Sequence, residues 1–68
     1  KDTGKLKELI VLLVDGLPIP AGYRDHALTG QWKGYRDAHI EPDWLLIYRV
    51  DASTVYLART GGHAELFR

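Results

Sequence analysis

The first part of the chain carries the hydrophobic pattern of a single helix. Leu6, Leu9, Ile10 and Leu13 follow the spacing i, i+3, i+4 and i+7, which predicts a helix over residues 5–14. Three further apolar positions widen this stripe beyond one face: Val11, Leu12 and Val14. We therefore expect the helix to be covered on more than one side, or to lack a neighbour that once covered it.

Both ends of this helix have recognisable signals. Asp2 or Thr3 can cap the first turn with a side-chain oxygen, and an early aspartate suits the positive end of the helix dipole. Gly16 fits the left-handed position after the last turn, and Pro18 then stops the helix from resuming. Residues 17–20 should be extended, because a residue before proline is pushed out of the helical region.

The second half of the chain has the patterns of β-strands. Residues 23–30 show no clear period and predict a loop with turns, after which glycines at 30 and 34 bracket a hairpin end or a bulge. Three strands follow, over residues 35–40, 44–50 and 54–60, with short turns between them. Such turns between consecutive strands imply an antiparallel meander, with the nearly continuous apolar run 44–50 as the central strand. A helix packed on this sheet gives a two-layer α+β fold, and a tail from residue 63 to 68 returns to it.

Alternation along the strands assigns side chains to faces. On the first strand, one face receives Tyr35, Asp37 and His39, and the other receives Arg36, Ala38 and Ile40. On the third strand the same rule puts Val55, Leu57 and Arg59 on one face. Arg59 and His63 would then approach the face of Asp37 only if the sheet curls or the tail folds back.

Composition excludes several classes of protein. Sixty-eight residues make one small domain, and the 46% hydrophobic and 26% charged residues are typical of a globular chain. The nine basic and nine acidic residues balance, so net charge does not indicate a nucleic-acid binder. The absence of cysteine excludes disulfides, thiolate zinc sites and cysteine nucleophiles, and it is compatible with a reducing cytoplasm. No apolar run approaches the ~20 residues of a membrane span.

A set of polar residues carries the candidate chemistry: His26, Asp37, His39, Asp43, Arg59 and His63. Two histidines can serve as base and acid near neutral pH, and nearby carboxylates can orient an imidazole and stabilise its charged form. An arginine can hold a phosphate and offset charge at a pentacoordinate phosphorus. Such a set suits metal-independent RNA cleavage by attack of the ribose 2′-hydroxyl on the adjacent phosphate.

Each of these residues also has an ordinary structural interpretation. A single histidine in a loop is more often a surface residue, and Asp43 after a proline is a turn residue or a cap. Asp37 can pair with Arg36 or Lys33 on the surface, and Phe67 can anchor the tail by packing. Four aromatic residues are better interpreted as core than as stacking platforms: Trp32, Tyr35, Trp44 and Tyr48.

A metal site is a weak alternative. His26, His39, Asp43 and His63 could supply ligands, but no HExxH-like spacing is present, so we predict no metal and no cofactor.

Four stretches of the chain resemble one family of bacterial toxins. In three-letter code they read Tyr-Arg-Asp-His-Ala-Leu-Thr-Gly over 23–30, Trp-Lys-Gly-Tyr-Arg-Asp-Ala-His-Ile over 32–40, Glu-Pro-Asp-Trp-Leu-Leu-Ile-Tyr over 41–48 and Arg-Thr-Gly-Gly-His-Ala-Glu-Leu-Phe over 59–67. This series is similar to the YafQ branch of the RelE-like toxins of type II toxin–antitoxin pairs. The resemblance runs from about Lys5 to the C-terminus, and it agrees in both the order and the spacing of the motifs.

The resemblance implies a function and a set of partners. Members of this branch are ribosome-dependent mRNA endonucleases that enter the A site of the small ribosomal subunit and cut the mRNA there. We therefore expect mRNA, the ribosome and a cognate antitoxin as partners, contact with operator DNA only through the antitoxin, no membrane, and a location in the bacterial cytoplasm. The expected fold is RelE/ParE-like, with residues 1–68 forming a single domain.

The resemblance also assigns roles to individual residues. It implies His63 as general acid toward the leaving 5′-oxygen and His26 or His39 as base, with Asp37 and Asp43 orienting them. Two further residues would bind substrate: Arg59 at a phosphate, and Phe67 by stacking on or positioning a base.

Family members carry another strand and helix ahead of the part that this chain matches. The sequence from Lys1 onward has no counterpart of them, and we expect such elements to cover the free face of the helix at residues 5–14 and to add a strand to the sheet.

Three hypotheses about function follow. The first is the ribosome-dependent endonuclease toxin. The second is a binding module of the same fold that binds its antitoxin or blocks another target without cutting RNA, although such a protein has no chemical need for the histidine and aspartate set. The third is a metal-dependent hydrolase, which would lose its activity in EDTA.

Overall fold

The computed structural model describes residues 2–67, in which a helix lies on a four-stranded antiparallel sheet. The order of elements is α1 (Thr3–Val14), β1 (His26–Ala27), β2 (Arg36–Glu41), β3 (Trp44–Val50), β4 (Val55–Gly61) and α2 (His63–Leu66). Single 3₁₀ turns at Ala21–Tyr23 and Gly30–Trp32 precede and follow β1. The strands neighbour one another in chain order, so the predicted helix, the three strands, the meander and the α+β fold are confirmed.

The two ends of α1 form as predicted. Asp2 is the N-cap, and its side chain accepts a hydrogen bond of 2.9 Å from the backbone N–H of Gly4. Gly16 has a φ of +67°, and the N–H of Leu17 donates to the Leu12 carbonyl at 3.0 Å. This is a Schellman ending, in which glycine takes the left-handed position without a steric cost. Within residues 2–67, neither helix is long and apolar enough to cross a membrane.

The main hydrophobic core lies between α1 and one face of the sheet. Its buried members are Leu9, Leu13, Ala38, Ile40, Trp44, Leu46 and Tyr48. Val11 and Val14 remain 56% and 65% exposed, so within the described residues α1 is covered on one side only. Of the two expectations for this helix, the second, that part of it lacks a neighbour, agrees with that exposure. The further strand and helix ahead of residue 1 stay a prediction.

A second, smaller core lies on the opposite face of the sheet. Leu45, Ile47 and Leu66 are buried there, and Leu28, Trp32 and Tyr35 pack against them. The four aromatic residues expected in the core therefore pack in it, Trp44 and Tyr48 in the main core and Trp32 and Tyr35 beside the second. The second core fixes α2 and the β1–β2 connection to the face that carries Asp37 and His39.

A β-bulge in β4 corrects one of the predicted faces. Ile47 pairs with Arg59, whereas the next residue of β3, Tyr48, pairs with Leu57, so Ala58 is the extra residue. Paired residues share a face of the sheet, and Ile47 and Tyr48 point to opposite faces. The prediction that Leu57 and Arg59 share a face is therefore wrong, because strict alternation does not hold across a bulge.

The aperiodic segment 23–30 contains a strand that the pattern did not show. His26 pairs with Asp37, and Ala27 pairs with Arg36, which makes β1 an edge strand of two residues. The loop assignment of His26 is therefore wrong. A strand of two residues is too short to display alternation, and it forms because β2 offers it a paired edge. Gly30 and Gly34 lie in the connection between β1 and β2. Of the two predicted alternatives, a hairpin end and a bulge, the hairpin end is therefore correct.

Candidate active site

Four of the predicted side chains form a row of rings. The ring centroids of His26 and His39 are 6.2 Å apart, those of His39 and His63 are 5.6 Å apart, and those of His63 and Phe67 are 6.1 Å apart. The residues come from β1, β2, α2 and the position after α2. The tail folds back over the sheet as the predicted site required, because Leu66 of α2 is anchored in the second core.

His26 lies over the buried carboxylate of Asp37. The Nδ1 atom of His26 is 3.0 Å from Oδ1 of Asp37, whose residue is only 2% exposed. The Nδ1–H nevertheless donates to the Arg24 carbonyl at 3.0 Å, and Oδ1 of Asp37 has no aligned hydrogen bond among the described residues. The contact between the imidazole ring and the carboxylate is therefore electrostatic, and it orients the ring. The surface pairing of Asp37 with Arg36 or Lys33 is wrong.

His39 is the buried member of the row. It is 9% exposed, and its Nδ1 atom has no hydrogen-bond partner among the described residues. Burial lowers the pKa of His39, and the charges of Arg24, His63 and His26 lower this pKa further, while the charge of Asp37 opposes them. The environment thus keeps His39 neutral more readily than an ordinary histidine.

Asp43 holds His63 in place from the turn between β2 and β3. Its Oδ1 accepts a 3.2 Å hydrogen bond from the backbone N–H of His63 and lies 3.4 Å from Nδ1 of the ring. A carboxylate accepts only, so Nδ1 carries the proton and Nε2 is left for a reacting group. The geometry agrees with the interpretation of Asp43 as a cap, and its role as a site residue stays a prediction.

Glycine at position 62 allows Asp43 to approach His63. A Cβ atom on Gly62 would lie 3.0 Å from Oδ2 and 3.3 Å from the backbone oxygen of Asp43. The N–H of Gly62 donates to Oε1 of Glu65 at 2.9 Å, which stabilises the start of α2. Two carboxylates therefore fix the turn that presents His63.

Arg59 and Phe67 lie at the margin of the row. The register aligns Asp37 with Ile47 and Ile47 with Arg59, so the bulge brings Arg59 to the face of the site. Two strand spacings separate Arg59 from Asp37, roughly 10 Å. Arg59 is exposed, and no carboxylate within residues 2–67 pairs with it. Phe67 is 38% exposed, so one part of its ring is open to a ligand.

Sequence reasoning missed two residues that build this site. Arg24 adopts a left-handed φ of +50° and gives its carbonyl to His26. Asp25 anchors the segment 23–30 to the sheet, because it accepts hydrogen bonds from Arg36 of β2 and from Tyr48 of β3. Neither role follows a periodic pattern, and the only signal was the lack of any period in 23–30.

Two histidines of this arrangement are placed where they can exchange a proton with a bound group. His26 and His63 each have a fixed Nδ1–H and side chains that are 55% and 56% exposed, so both can present Nε2 to a ligand. Among residues 2–67, no three histidine or carboxylate side chains are arranged to hold a metal ion together. Of the four residues weighed as metal ligands, the three histidines lie in the row of rings, and Asp43 lies beside His63.

Comparison with known proteins identifies the family of this chain. The family model described as the bacterial toxin of type II toxin–antitoxin systems, YafQ, matches residues 1–68. The chain belongs to the YafQ family of bacterial toxins. It is 57% identical over 68 residues to the mRNA interferase toxin YafQ of Escherichia coli strain K12, which covers 98% of this chain and 74% of that protein.

Solved structures of YafQ relatives share the fold. The E. coli DinJ–YafQ complex contains a chain that matches with a TM-score of 0.90 and 55% identity, over 100% of this chain and 77% of that one. A copper-bound mutant toxin from Helicobacter pylori matches with a TM-score of 0.92 and 42% identity, over 98% of this chain and 76% of that one. The RelE-like α+β fold expected from the motifs is thus confirmed.

Proposed function

We propose that this protein is a ribosome-dependent mRNA endonuclease that cuts mRNA in the ribosomal A site. The observation that carries the proposal is the proximity of the three histidines of the row, His26, His39 and His63, whose ring centroids are 6.2 and 5.6 Å apart. A carboxylate lies beside His26 and another beside His63. The relative from E. coli, called an mRNA interferase toxin, supports the choice of mRNA as substrate. Membership of the YafQ family supports the toxin role.

The chemistry is attack by a ribose 2′-hydroxyl on the adjacent phosphate. His26 accepts the hydroxyl proton at Nε2 as the O2′–P bond forms, and protonated His63 donates a proton from Nε2 as the P–O5′ bond breaks. The products are a 2′,3′-cyclic phosphate and a 5′-hydroxyl. We choose His26 over His39 as base because its side chain is 55% exposed and its Nδ1–H is fixed, whereas His39 is buried.

The remaining residues stabilise charge and position the substrate. Asp37 and Asp43 orient the imidazoles of His26 and His63, from 3.0 and 3.4 Å. Arg59 contacts a phosphate and offsets the negative charge that develops on it. Phe67 stacks on a base, which requires no sequence-specific hydrogen bond.

The partners follow from the same proposal. The E. coli relative is found in a complex with DinJ, and we propose that this chain has a cognate antitoxin of its own. The antitoxin silences the toxin and links it to operator DNA, and the protein acts in the bacterial cytoplasm.

Replacement of His63 tests the proposal. His63→Ala should abolish cutting of translated mRNA while circular dichroism shows an intact fold, because no other group in the row takes the place of the acid. Ser53→Ala, in the exposed β3–β4 turn, is the control and should cut like the wild type. Cutting that survives in His63→Ala would refute the assignment of the acid.

Two further results would favour the alternatives. Folded wild-type protein that binds a partner and never cuts RNA would favour the non-cutting binding module. Cutting that is lost in EDTA and restored by a divalent metal would favour a metal-dependent hydrolase over acid–base chemistry by the histidines alone.

A further inference from the structure

Two hollows lie beside His39, between the first turns of α1 and the edge of β2. The larger has a volume of about 330 Å³ and the smaller about 210 Å³. They share four lining residues, so they lie side by side: Lys5, Gly22, His39 and Ile40. The edge of β2 is open here because β1 pairs only with Arg36 and Asp37.

The smaller hollow carries an excess of positive charge. Lys5 and Arg24 line it together with one carboxylate, that of Glu41. Within the described part of the chain, neither cation lies within ion-pair distance of a carboxylate, so both keep their N–H donors available. The larger hollow has no such excess, since Lys5 and Glu8 line it together with Pro20 and Tyr23.

The hollow is joined to the row of rings through His39. His39 lines both hollows, and its ring centroid is 5.6 Å from that of His63. Its Nδ1 atom is buried without a partner among residues 2–67. A group held between Lys5 and Arg24 is therefore only one side chain away from the reacting groups.

We propose that the smaller hollow is a phosphate subsite that holds a backbone phosphate of the RNA strand next to the cut. This inference rests on the proposed function, because the catalytic row must receive RNA for a neighbouring phosphate to reach the hollow. A space of about 210 Å³ that is lined by a lysine and an arginine matches the size and the charge of a phosphate group. Glu41 weakens the attraction and lowers the affinity of the subsite.

Binding of single-stranded RNA with a 2′-O-methyl group at the cut tests the subsite. Lys5→Ala and Arg24→Gly should each weaken binding about tenfold, the effect of one lost charge-assisted contact. Each should also lower the slope of log affinity against log salt by about 0.7. Glycine is chosen at position 24 because it tolerates the φ of +50°.

Two further variants sharpen the test. Lys7→Ala is the matched control, because Lys7 is an exposed lysine on α1 that lines neither hollow. Its effect should be under twofold. Glu41→Gln should strengthen RNA binding, since it removes the one carboxylate of the smaller hollow. Equal effects of Lys5→Ala and Lys7→Ala, or weaker binding by Glu41→Gln, would overturn the proposal.

Competition with inorganic phosphate shows whether the smaller hollow binds an RNA phosphate or free phosphate. If the occupant is RNA, 10 mM phosphate should compete weakly with RNA in the wild type, and Lys5→Ala should be insensitive to it. Phosphate binding that is lost in Lys5→Ala while RNA affinity stays unchanged would assign the hollow to free phosphate and overturn the proposal.

Cutting of translated mRNA separates this inference from the proposed function. In Lys5→Ala, KM should rise about tenfold while kcat stays within twofold, because the contact is remote from the reacting atoms. Wild-type protein that never cuts defeats the proposed function. Wild-type protein that cuts, together with an unchanged KM in Lys5→Ala, defeats only the phosphate subsite.

Discussion

The hydroxyl of Tyr48 donates a hydrogen bond to Oδ1 of Asp25, and this contact fastens the segment before His26 to the central strand. Arg36 adds bonds to both carboxylate oxygens, at 3.1 and 3.3 Å. Tyr48 is only 2% exposed, and burial together with the Asp25 carboxylate raises its pKa. Because β1 pairs with β2 through two residues only, this anchor determines where His26 lies.

Removal of this hydroxyl should loosen β1. Tyr48→Phe should lower the free energy of unfolding by about 2 kcal/mol, since a hydrogen bond to a charged group is lost from a buried site. It should also reduce cutting, because His26 is held less firmly over Asp37. Urea unfolding and mRNA cutting measure the two effects. Tyr56→Phe, on an exposed tyrosine, is the control, and an equal loss of stability in both variants would refute the anchor.

Stability should fall as the pH drops below the ordinary pKa of histidine. Burial lowers the folded-state pKa of His39 below 6.5, so in this range the unfolded chain binds more protons than the folded chain. The contribution of His39 to the free energy of unfolding is therefore fully present above about pH 6.5, and it is lost as the pH falls through the folded-state pKa of this residue. Urea unfolding at pH 7.5 and pH 5 measures the difference.

His39→Gln isolates this effect from the other histidines. The variant keeps a polar side chain of similar length but takes up no proton, so its free energy of unfolding should change less between pH 7.5 and pH 5. The same pH dependence in wild type and variant would show that His39 is not the responsible group.

A methyl group at position 62 should disturb the contact between Asp43 and His63. Gly62→Ala places Cβ 3.0 Å from Oδ2 and 3.3 Å from the backbone oxygen of Asp43, so Asp43 must shift to make room for it. We expect cutting to fall about tenfold, equivalent to a loss of about 1.4 kcal/mol in stabilisation of the transition state. Ser53→Ala, in the exposed β3–β4 turn and away from this contact, is the control and should cut like the wild type.

Arg59 should matter for RNA and not for stability. It is exposed and unpaired among the described residues, so Arg59→Ala should leave the free energy of unfolding within about 0.5 kcal/mol of the wild type. Binding of RNA should weaken about tenfold through the loss of a phosphate contact. Lys7→Ala is the control, because Lys7 lies on α1, which packs on the other face of the sheet. Equal weakening in both variants would argue for non-specific attraction between the protein and RNA.

The sequence predicts the regular parts of this fold well. The apolar run at 44–50 gives β3 with its observed bounds, and the spacing of Leu9 and Leu13 identifies the buried side of α1. These features follow from burial alone, which repeats with the period of the element. The motifs of the family also identify the three histidines that the structure brings together.

The parts that the sequence does not predict depend on pairing between distant segments. β1 exists only because Arg36 and Asp37 offer it an edge, and the face of Arg59 is decided by the register of Ile47 against β4. The anchor between Asp25 and Tyr48 joins residues 23 positions apart, and no local pattern carries that information.

Cell-free translation with primer extension tests the central claim most directly. The purified protein is added to a defined mRNA with and without ribosomes, beside the His63→Ala variant, and the 5′ ends of the fragments are mapped. We predict cuts at fixed positions within codons, only with ribosomes present and only from protein that keeps His63. Cuts at the same sites without ribosomes, or no cuts from folded wild-type protein, would contradict the account.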